Sequence, residues 1–472
     1  MYNIFKYKPR ALVLAGVVAA LLPAASCSLV NIDPVTDPTN PSLESVTTNA
    51  TQAQINALGI GVEASLRLGH LNNGPNNWVT GELGREIIVL ATNEPRWYTE
   101  VLGTRGSLDD NAFYSNAAYN GFARVIRASK VFLASAQASP VVSAPQRMGI
   151  AGFAHTYEAL AKLHMLDLQG ENGIRIDVDN FLKPGKFVDR AASLTNIRQL
   201  LDQAVTELAG AGASFAFPLS NGFAGFNTPA TFLKFNRALA ARTALYQGDN
   251  AGALAALAKS FYDPAASLAL GPKMVFAPTV AGDASNPYFQ VPNGTQTGLV
   301  VVPANFVTEA EKGDLRLAKA PLRTGPARTL GTIPSTYEAR VFTTQTAPLD
   351  IIRNEELILI SAEAKAKTGD TAGAADDLNV IRTKAGGLAP RDAATYTQAS
   401  DYIDEILKQR RYSLFYEGHR WVDLRRLNRL TPVVSPGQTL AYSTGGNAAG
   451  TFKLFDRLER PFAEKQYDIA NP

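Results

Sequence analysis

Few side chains in this chain of 472 residues have the types and spacing that chemistry requires. The sequence contains no Gly-x-Ser-x-Gly, no His-Glu-x-x-His and no Walker loop. His155 and His164 would point to opposite faces of one helix, so they cannot share a metal. The stretch 177–180 (DVDN) begins like a calcium loop but lacks the glycine and the final glutamate. The adjacent Glu355 and Glu356 diverge on a helix, and we expect them to face solvent. The sequence therefore predicts no catalytic set, no metal site and no cofactor.

The densest group of ionisable side chains lies between Asp401 and Leu430. Arginines and acids alternate there around tryptophan and phenylalanine, which a surface that binds nucleic acid would not do. The planar guanidinium of arginine pairs bidentately with carboxylates. We therefore expect a partly buried ion-pair network with a structural role. Its predicted members are Arg410, Arg411, Glu417, Arg420, Trp421, Asp423 and Arg425.

The one cysteine of the chain, Cys27, follows a short export signal. Basic residues precede an apolar run at 11–22, and small residues at 24–26 form a cleavage site. The run is shorter than the roughly 17–25 residues that cross a membrane. This order predicts a signal peptide at 1–26 and a bacterial lipoprotein whose Cys27 carries a diacylglyceryl group. The alternative is a free thiol buried in the fold.

The chain expected after cleavage, 27–472, carries 42 basic and 42 acidic residues. No positive surplus remains to displace counterions from nucleic acid, so we expect no nucleic-acid partner. Residues 27–45 are rich in Pro, Asn and Asp, which predicts an extended tether. Residues 46–472 form the predicted body, which must be stabilised by its hydrophobic core because it lacks disulfides.

Helical periodicity dominates the body, and part of it is repeated. Ala241–Ser260 aligns without gaps to Ala362–Ile381, and both segments contain Gly-Asp followed by Ala-Gly-Ala. The glycine suits the end of one helix and the aspartate caps the next. This pattern predicts an all-α fold of tetratricopeptide-like helical hairpins, unless these are two ordinary alanine-rich hairpins. Long irregular stretches separate the helical blocks at 69–120, 264–308 and 322–350.

The string 410–426 (RRYSLFYEGHRWVDLRR) strongly resembles the C-terminal signature of the SusD/RagB family. These are lipid-anchored nutrient-binding proteins of the Bacteroidetes outer membrane. The segments 313–316 (GDLR), 353–357 (RNEEL) and 461–464 (PFAE) are similar to further family motifs. The resemblance runs in order along most of the chain and is most specific in its C-terminal third.

The resemblance implies an all-helical body decorated by loops, on the extracellular side of the outer membrane and anchored there through Cys27. It also implies a SusC-like TonB-dependent transporter as partner. Such a protein binds an oligosaccharide or a peptide, delivers it to the transporter and performs no chemistry. Two other classes stay open on the residues alone, namely a lipid-anchored glycan-degrading enzyme and a helical interaction scaffold without a small ligand.

Aromatic residues in the long loops are the predicted ligand contacts, because a flat apolar ring with amides beside it suits a sugar. The alternative is that these rings pack against the helices and hold their own loops in place. We expect that replacing Trp97 and Tyr98 by alanine weakens glycan binding and leaves the melting temperature nearly unchanged. The predicted contacts are Trp78, Trp97, Tyr98, Tyr288 and Phe289, beside Asn73, Asn76, Asn77 and Asn286.

Overall fold

The structure is a computed structural model that describes residues 43–71, 73–104, 107–280, 282–330, 333–430, 433–435, 438–439 and 453–472. Cys27, the predicted signal peptide and most of the predicted tether lie outside the described residues. Residues 47–472 form one compact unit. Among the described helices, none has the length and apolar character needed to cross a membrane.

Helices form most of the described chain. The α-helices are α1 (Leu43–Asn49), α2 (Gln52–Ser65), α3 (Leu68–Leu71), α4 (Asn76–Leu83), α5 (Phe113–Ala138), α6 (Ala144–Gln169), α7 (Arg190–Ala209), α8 (Pro229–Gln247), α9 (Asn250–Leu257), α10 (Ala304–Thr308), α11 (Asn354–Thr368), α12 (Thr371–Val380), α13 (Ala399–Ser413), α14 (His419–Arg426) and α15 (Phe462–Ala470). Short 3₁₀ turns lie at Gly170–Asn172, Asn221–Phe223, Leu315–Lys319 and Ala393–Thr395, and π turns at Trp97–Val101 and Ile381–Ala385.

The repeated segments are two helical hairpins, α8–α9 and α11–α12, as the sequence predicts. Gly248 and Gly369 end the first helix of each pair with φ of +79° and +91°, in the left-handed region where glycine is favoured. Asp249 and Asp370 then cap the second helices by accepting from backbone N–H groups three residues on. The hairpin geometry is thus encoded locally in each copy.

The helices pack on one another in chain order, which is the arrangement of stacked hairpins. Contacts run from α2 to α5, α6, α7, α8, α9, α11 and α12 in succession. One face of α6 lies in the core, where Phe153, Tyr157 and Leu160 are at most 1% exposed. The prediction of an all-α, tetratricopeptide-like fold is therefore confirmed.

Short strands join the three long stretches that the sequence shows as irregular. The strands are β1 (Ile88–Leu90), β2 (Ile174–Arg175), β3 (Phe187–Val188), β4 (Lys273–Met274), β5 (Leu299–Val302), β6 (Thr329–Leu330), β7 (Ile333–Pro334), β8 (Tyr337–Glu338), β9 (Leu349–Asp350), β10 (Val433–Ser435) and β11 (Gln438–Thr439).

An antiparallel sheet of order β1-β5-β8 takes one strand from each of these stretches. Its register pairs Leu90 with Leu299 and Val302 with Tyr337. β4 pairs with β9 and ties the second stretch to the third again. Strands of two to four residues are too short to show the alternation that identifies a strand in a sequence. The sheet holds the first and second stretches side by side, and the candidate site lies there.

Candidate binding cleft

A cavity of about 540 Å³ opens between the first and second long stretches. This volume lies within the range of about 300–1,000 Å³ that is usual for ligand clefts. We call it the aromatic cleft because tryptophan and phenylalanine rings form one wall. Its lining residues are Leu71, Asn73, Gly74, Pro75, Trp78, Ala91, Asn93, Glu94, Arg96, Trp97, Phe113, Pro287, Thr297 and Gly298.

Three aromatic rings form the apolar wall of the cleft. The ring centres of Trp78 and Trp97 are 5.9 Å apart, and those of Trp97 and Phe113 are 5.1 Å apart. Trp97 is only 3% exposed, whereas Trp78 and Phe113 are half-buried. Three different elements supply the rings, namely α4, the π turn at 97–101 and the first residue of α5. Trp78 and Phe113 therefore offer the accessible apolar faces, and the buried ring of Trp97 packs against both of them.

Polar groups lie beside the wall. Nε and Nη2 of Arg96 donate to the two carboxylate oxygens of Glu94 at 2.8 and 2.7 Å. The guanidinium carbon of Arg96 also lies 5.0 Å from the ring centre of Phe113. The hydrogen bonds from Arg96 lower the pKa of Glu94. Exposed Asn73, Asn93 and Thr297 complete the polar lining.

The structure places two of the five predicted contact residues, Trp78 and Trp97, in the lining of the cleft. Tyr98 is half-buried and packs against the apolar cluster that contains Ile88 and Leu90. Tyr288 is 2% exposed, and Phe289 is half-buried outside the lining. As packed, Tyr288 presents no ring face to a ligand.

Tyr288 instead stabilises the segment that carries Trp78, through contacts of its hydroxyl group. Its hydroxyl accepts from the backbone N–H of Asn77 at 3.1 Å, next to Trp78. The same hydroxyl lies 2.7 Å from Nδ1 of His70, within hydrogen-bond distance. Burial lowers the pKa of His70 to about 3, which keeps the imidazole neutral at pH 7. Tyr288 thus ties the second long stretch to the helix that carries Trp78.

Of the amides predicted beside the aromatic rings, only Asn73 lies in the cleft. Asn76, Asn77 and Asn286 are at most 5% exposed. The side chain of Asn77 donates to the carbonyl of Tyr416 at 2.9 Å, and that of Asn286 to the carbonyl of Ala347 at 2.7 Å. The expectation that these three amides flank a ligand is wrong, because all three are buried, and Asn77 and Asn286 satisfy backbone carbonyls.

Sequence reasoning missed Phe113, Glu94, Arg96 and Asn93. A signal for three of them was available, since Asn-Glu-Pro-Arg at 93–96 directly precedes Trp97. Phe113 had no such signal, because only the packing of α5 against the π turn brings it to the cleft. The burial of Trp97 changes the stability expected for replacement of Trp97 and Tyr98 by alanine. Removal of so buried a tryptophan typically costs about 3–5 kcal/mol, so we now expect a lower melting temperature.

The central part of the arginine-rich segment at 401–430 is buried in the structure. Arg410, Arg411, Arg420, Trp421 and Asp423 are each at most 4% exposed. Nε of Arg410 donates to Asp423 at 2.5 Å, and Nη1 of Arg411 donates to Glu309 at 2.5 Å. The segment therefore lies within the helical body and contributes no residue to the lining of the cleft.

Of the other predicted members, Glu417 makes an ion pair, whereas Trp421 and Arg425 donate to backbone carbonyls. Glu417 pairs with Arg353. The indole N–H of Trp421 donates to the carbonyl of Phe455 at 2.7 Å, and the guanidinium of Arg425 lies 4.7 Å from the Trp421 ring centre. These contacts join the C-terminal segment to distant parts of the chain, as a structural role requires.

The expectation that Glu355 and Glu356 face solvent is wrong. They are 7% and 2% exposed, and Nε and Nη2 of Arg242 donate to the two oxygens of Glu356 at 2.6 Å each. Burial alone would raise the pKa of Glu356, but the charge of Arg242 outweighs it and lowers the pKa to about 2. The partner lies on α8, more than 100 residues earlier, so the adjacent residues gave no sign of it.

A second cavity, of about 270 Å³, is a poorer candidate. Its lining includes one aromatic residue, Phe223. Its basic residues Arg67 and Lys273 already pair with Asp283 and Asp350. Within the described part of the chain, no group of three or more His, Cys, Asp or Glu side chains is placed to hold a metal ion.

Comparison with known proteins identifies the family of the C-terminal segment. Residues 335–468 match the model of the SusD family, also designated SusD/RagB, and this segment contains the arginine-rich signature. The match assigns this part of the chain to the SusD/RagB family. No protein among the curated sequences matches it.

Solved structures show that the SusD fold extends over nearly the whole chain. A SusD superfamily protein from Parabacteroides distasonis is 16% identical with a TM-score of 0.66, over 89% of this chain and 98% of that one. One from Bacteroides thetaiotaomicron is 18% identical with a TM-score of 0.62, over 88% and 93%. A SusD-like carbohydrate binding protein from Bacteroides vulgatus is 16% identical with a TM-score of 0.60, over 80% and 84%. At these identities the likeness establishes the fold of the chain.

Proposed function

We propose that this SusD/RagB protein is an outer-membrane surface lipoprotein that binds a nutrient glycan in the aromatic cleft and delivers it to a TonB-dependent transporter. The observation that carries the proposal is the wall formed by Trp78, Trp97 and Phe113 beside a polar lining. A sugar ring has an apolar face of C–H groups and a rim of hydroxyls. An aromatic wall with hydrogen-bonding groups beside it complements both.

Family and structural likeness add support. One similar structure is described as a carbohydrate binding protein, which makes a glycan the first ligand to test rather than a peptide. The cleft also favours ligand binding over a pure interaction scaffold, because the scaffold function does not require an aromatic-lined concavity of about 540 Å³.

The charges in the cleft favour binding without chemistry. Glycoside hydrolysis uses two carboxyl groups on either side of the scissile bond. Among the described residues that line the cleft, Glu94 supplies the one carboxylate, and Arg96 holds both of its oxygens. We therefore propose a ligand-binding role without catalysis for this cleft.

The decisive experiment measures glycan binding to the purified Trp78→Ala protein. Isothermal titration with maltohexaose, cellohexaose, xylohexaose and mannohexaose should find at least one ligand for the wild-type protein. Loss of the half-buried Trp78 ring should weaken that binding by about 2 kcal/mol, or roughly 30-fold. Trp97 is unsuitable for this test, because its burial ties its removal to stability.

Phe181→Ala is the matched control, since Phe181 is a 39% exposed aromatic residue outside the cleft. It should bind the glycan as the wild-type protein does. Glycan binding that survives Trp78→Ala would place the ligand elsewhere. Binding of oligopeptides in preference to every glycan would overturn the choice of ligand.

Membrane attachment and delivery rest on the signal sequence, Cys27 and family membership. A lipid anchor would hold the body beside the transporter at a high local concentration. The Cys27→Ala protein should therefore bind glycan in solution as the wild-type protein does, while cells that carry it lose glycan uptake. Unimpaired uptake by those cells would contradict the role of the anchor.

A further inference from the structure

The charged side chains of the aromatic cleft are arranged to cancel. Among the described lining residues, Glu94 and Arg96 are the charged ones, and two hydrogen bonds of 2.8 and 2.7 Å join them. This planar bidentate geometry is the strongest that arginine forms with a carboxylate. The lining of the cleft therefore has no net charge.

Arg96 is also held on a second side. Its guanidinium lies over the ring of Phe113, with 5.0 Å between the guanidinium carbon and the ring centre. Its backbone N–H donates to an oxygen of Glu94 at 3.3 Å. The side chains of Arg96 and Glu94 remain 38% and 29% exposed, so both can contact a ligand without leaving each other.

An uncharged sugar fits this pair as it stands. Nη1 and one N–H of Nη2 of Arg96 are not used by Glu94, and Oε2 of Glu94 keeps a free acceptor direction. Neighbouring hydroxyls of a sugar can donate to Glu94 and accept from Arg96. These bonds would form beside the aromatic wall, where the apolar face of the sugar packs.

A sugar that carries a carboxylate gains little from the same pair. Its carboxylate could bind the N–H groups of Arg96 that Glu94 leaves free, but Glu94 already balances the positive charge of Arg96. The negative charge of Glu94 would also lie in the same cleft as the negatively charged ligand and repel it. Selectivity of this kind, by an unfavourable contact with the wrong ligand, is common in specific sites.

We propose that the Glu94–Arg96 pair makes the aromatic cleft selective for uncharged glycans against glycans that contain uronic acids. This inference rests on the proposed function and narrows the class of ligand. It assigns Glu94 as the residue that excludes acidic sugars, with Arg96 as the group that fixes its position.

Matched ligands test the proposal directly. Maltohexaose, cellohexaose and mannohexaose are titrated in native form and after oxidation of the C6 hydroxymethyl groups to carboxylates. The wild-type protein should bind the native form of its ligand at least about tenfold more tightly than the oxidised form, which is about 1.4 kcal/mol. Glu94→Gln keeps the shape of the side chain and removes its charge, so this ratio should fall to about one or reverse.

Glu171→Gln is the control, because Glu171 is a 60% exposed glutamate that faces an arginine outside the cleft. It should keep the wild-type ratio. Tight binding of the oxidised form by the wild-type protein, lost in Trp78→Ala, would leave the proposed function standing and overturn the selectivity. An unchanged ratio in Glu94→Gln would also overturn it. If Trp78→Ala binds the native or the oxidised form as tightly as the wild-type protein does, the proposed site itself is refuted.

Discussion

Asp423 is the carboxylate whose removal should reveal how much the buried arginine network stabilises the fold. It is 2% exposed and accepts from Nε of Arg410 at 2.5 Å. Its other oxygen accepts from Nε and Nη2 of Arg426 at 3.0 and 2.8 Å. Arg426 keeps Glu363 as a second partner, at 2.6 Å. Nη1 and Nη2 of Arg410 have no hydrogen-bond partner among the described residues, so Asp423 is its essential contact.

Asp423→Asn should therefore leave a buried guanidinium without its countercharge. Loss of one partner of a buried ion pair costs about 3–5 kcal/mol, a large part of the roughly 5–15 kcal/mol that stabilises a typical domain. Urea unfolding followed by far-UV circular dichroism measures the change in free energy of unfolding. Asp404→Asn is the control, because Asp404 and Arg429 are 32% and 35% exposed, and such a pair contributes at most about 1 kcal/mol.

A third variant separates the lost charge from lost packing. Arg410→Met with Asp423→Leu replaces both charges by apolar side chains, which buried sites often tolerate, so it should recover much of the stability. Equal stability losses for Asp423→Asn and Asp404→Asn would refute the argument. So would a double variant that is less stable than Asp423→Asn, since the volume of the side chains would then matter more than the charge.

Two further predictions concern the pH dependence and the repeats. Because burial lowers the pKa of His70 from 6.5 to about 3, the stability associated with its neutral form is complete above pH 6.5 and is lost as the pH falls. Between pH 7 and pH 5 the free energy of unfolding should fall by about 2 kcal/mol more in the wild-type protein than in His70→Asn. Urea unfolding at both pH values measures this difference, and equal decreases in the two proteins would contradict it. Gly373→Ala should destabilise by about 1–2 kcal/mol in thermal unfolding, because its Cβ would lie 2.3 Å from Oδ2 of the capping Asp370. An added Cβ at Gly369 would meet open space, so Gly369→Ala should destabilise the protein by about 1 kcal/mol through its φ of +91° alone. A Gly373→Ala protein that is more stable than the wild type would show that the cap is dispensable.

The hairpins could be predicted because the residues that form them are neighbours in the chain. Gly369, Asp370 and Gly373 end one helix, cap the next and leave room for the cap within five positions. The β1-β5-β8 sheet could not be predicted in this way. Its strands have two to four residues, and their partners lie more than 30 residues apart in the chain.

The aromatic cleft was predicted in part. The sequence predicts Trp78 and Trp97 as contacts, because large aromatic residues in long loops often contact ligands. Tyr288 belongs to the same composition class, yet the structure buries it, since its hydroxyl finds partners in His70 and Asn77. The sequence does not distinguish a buried tyrosine from an exposed one, because burial depends on which segment packs over the ring.

The sequence by itself determined the elements whose causes are local, namely the helical hairpins, their caps and the arginine-rich signature that marks the family. Tertiary structure alone decided which loop residues face the cleft and which carboxylates are buried. Arg242 meets Glu356, and Arg96 with Glu94 meets Phe113, only after separate helices and turns have packed. Capping is a contact between near neighbours, whereas a binding cleft is the space that distant segments leave between them.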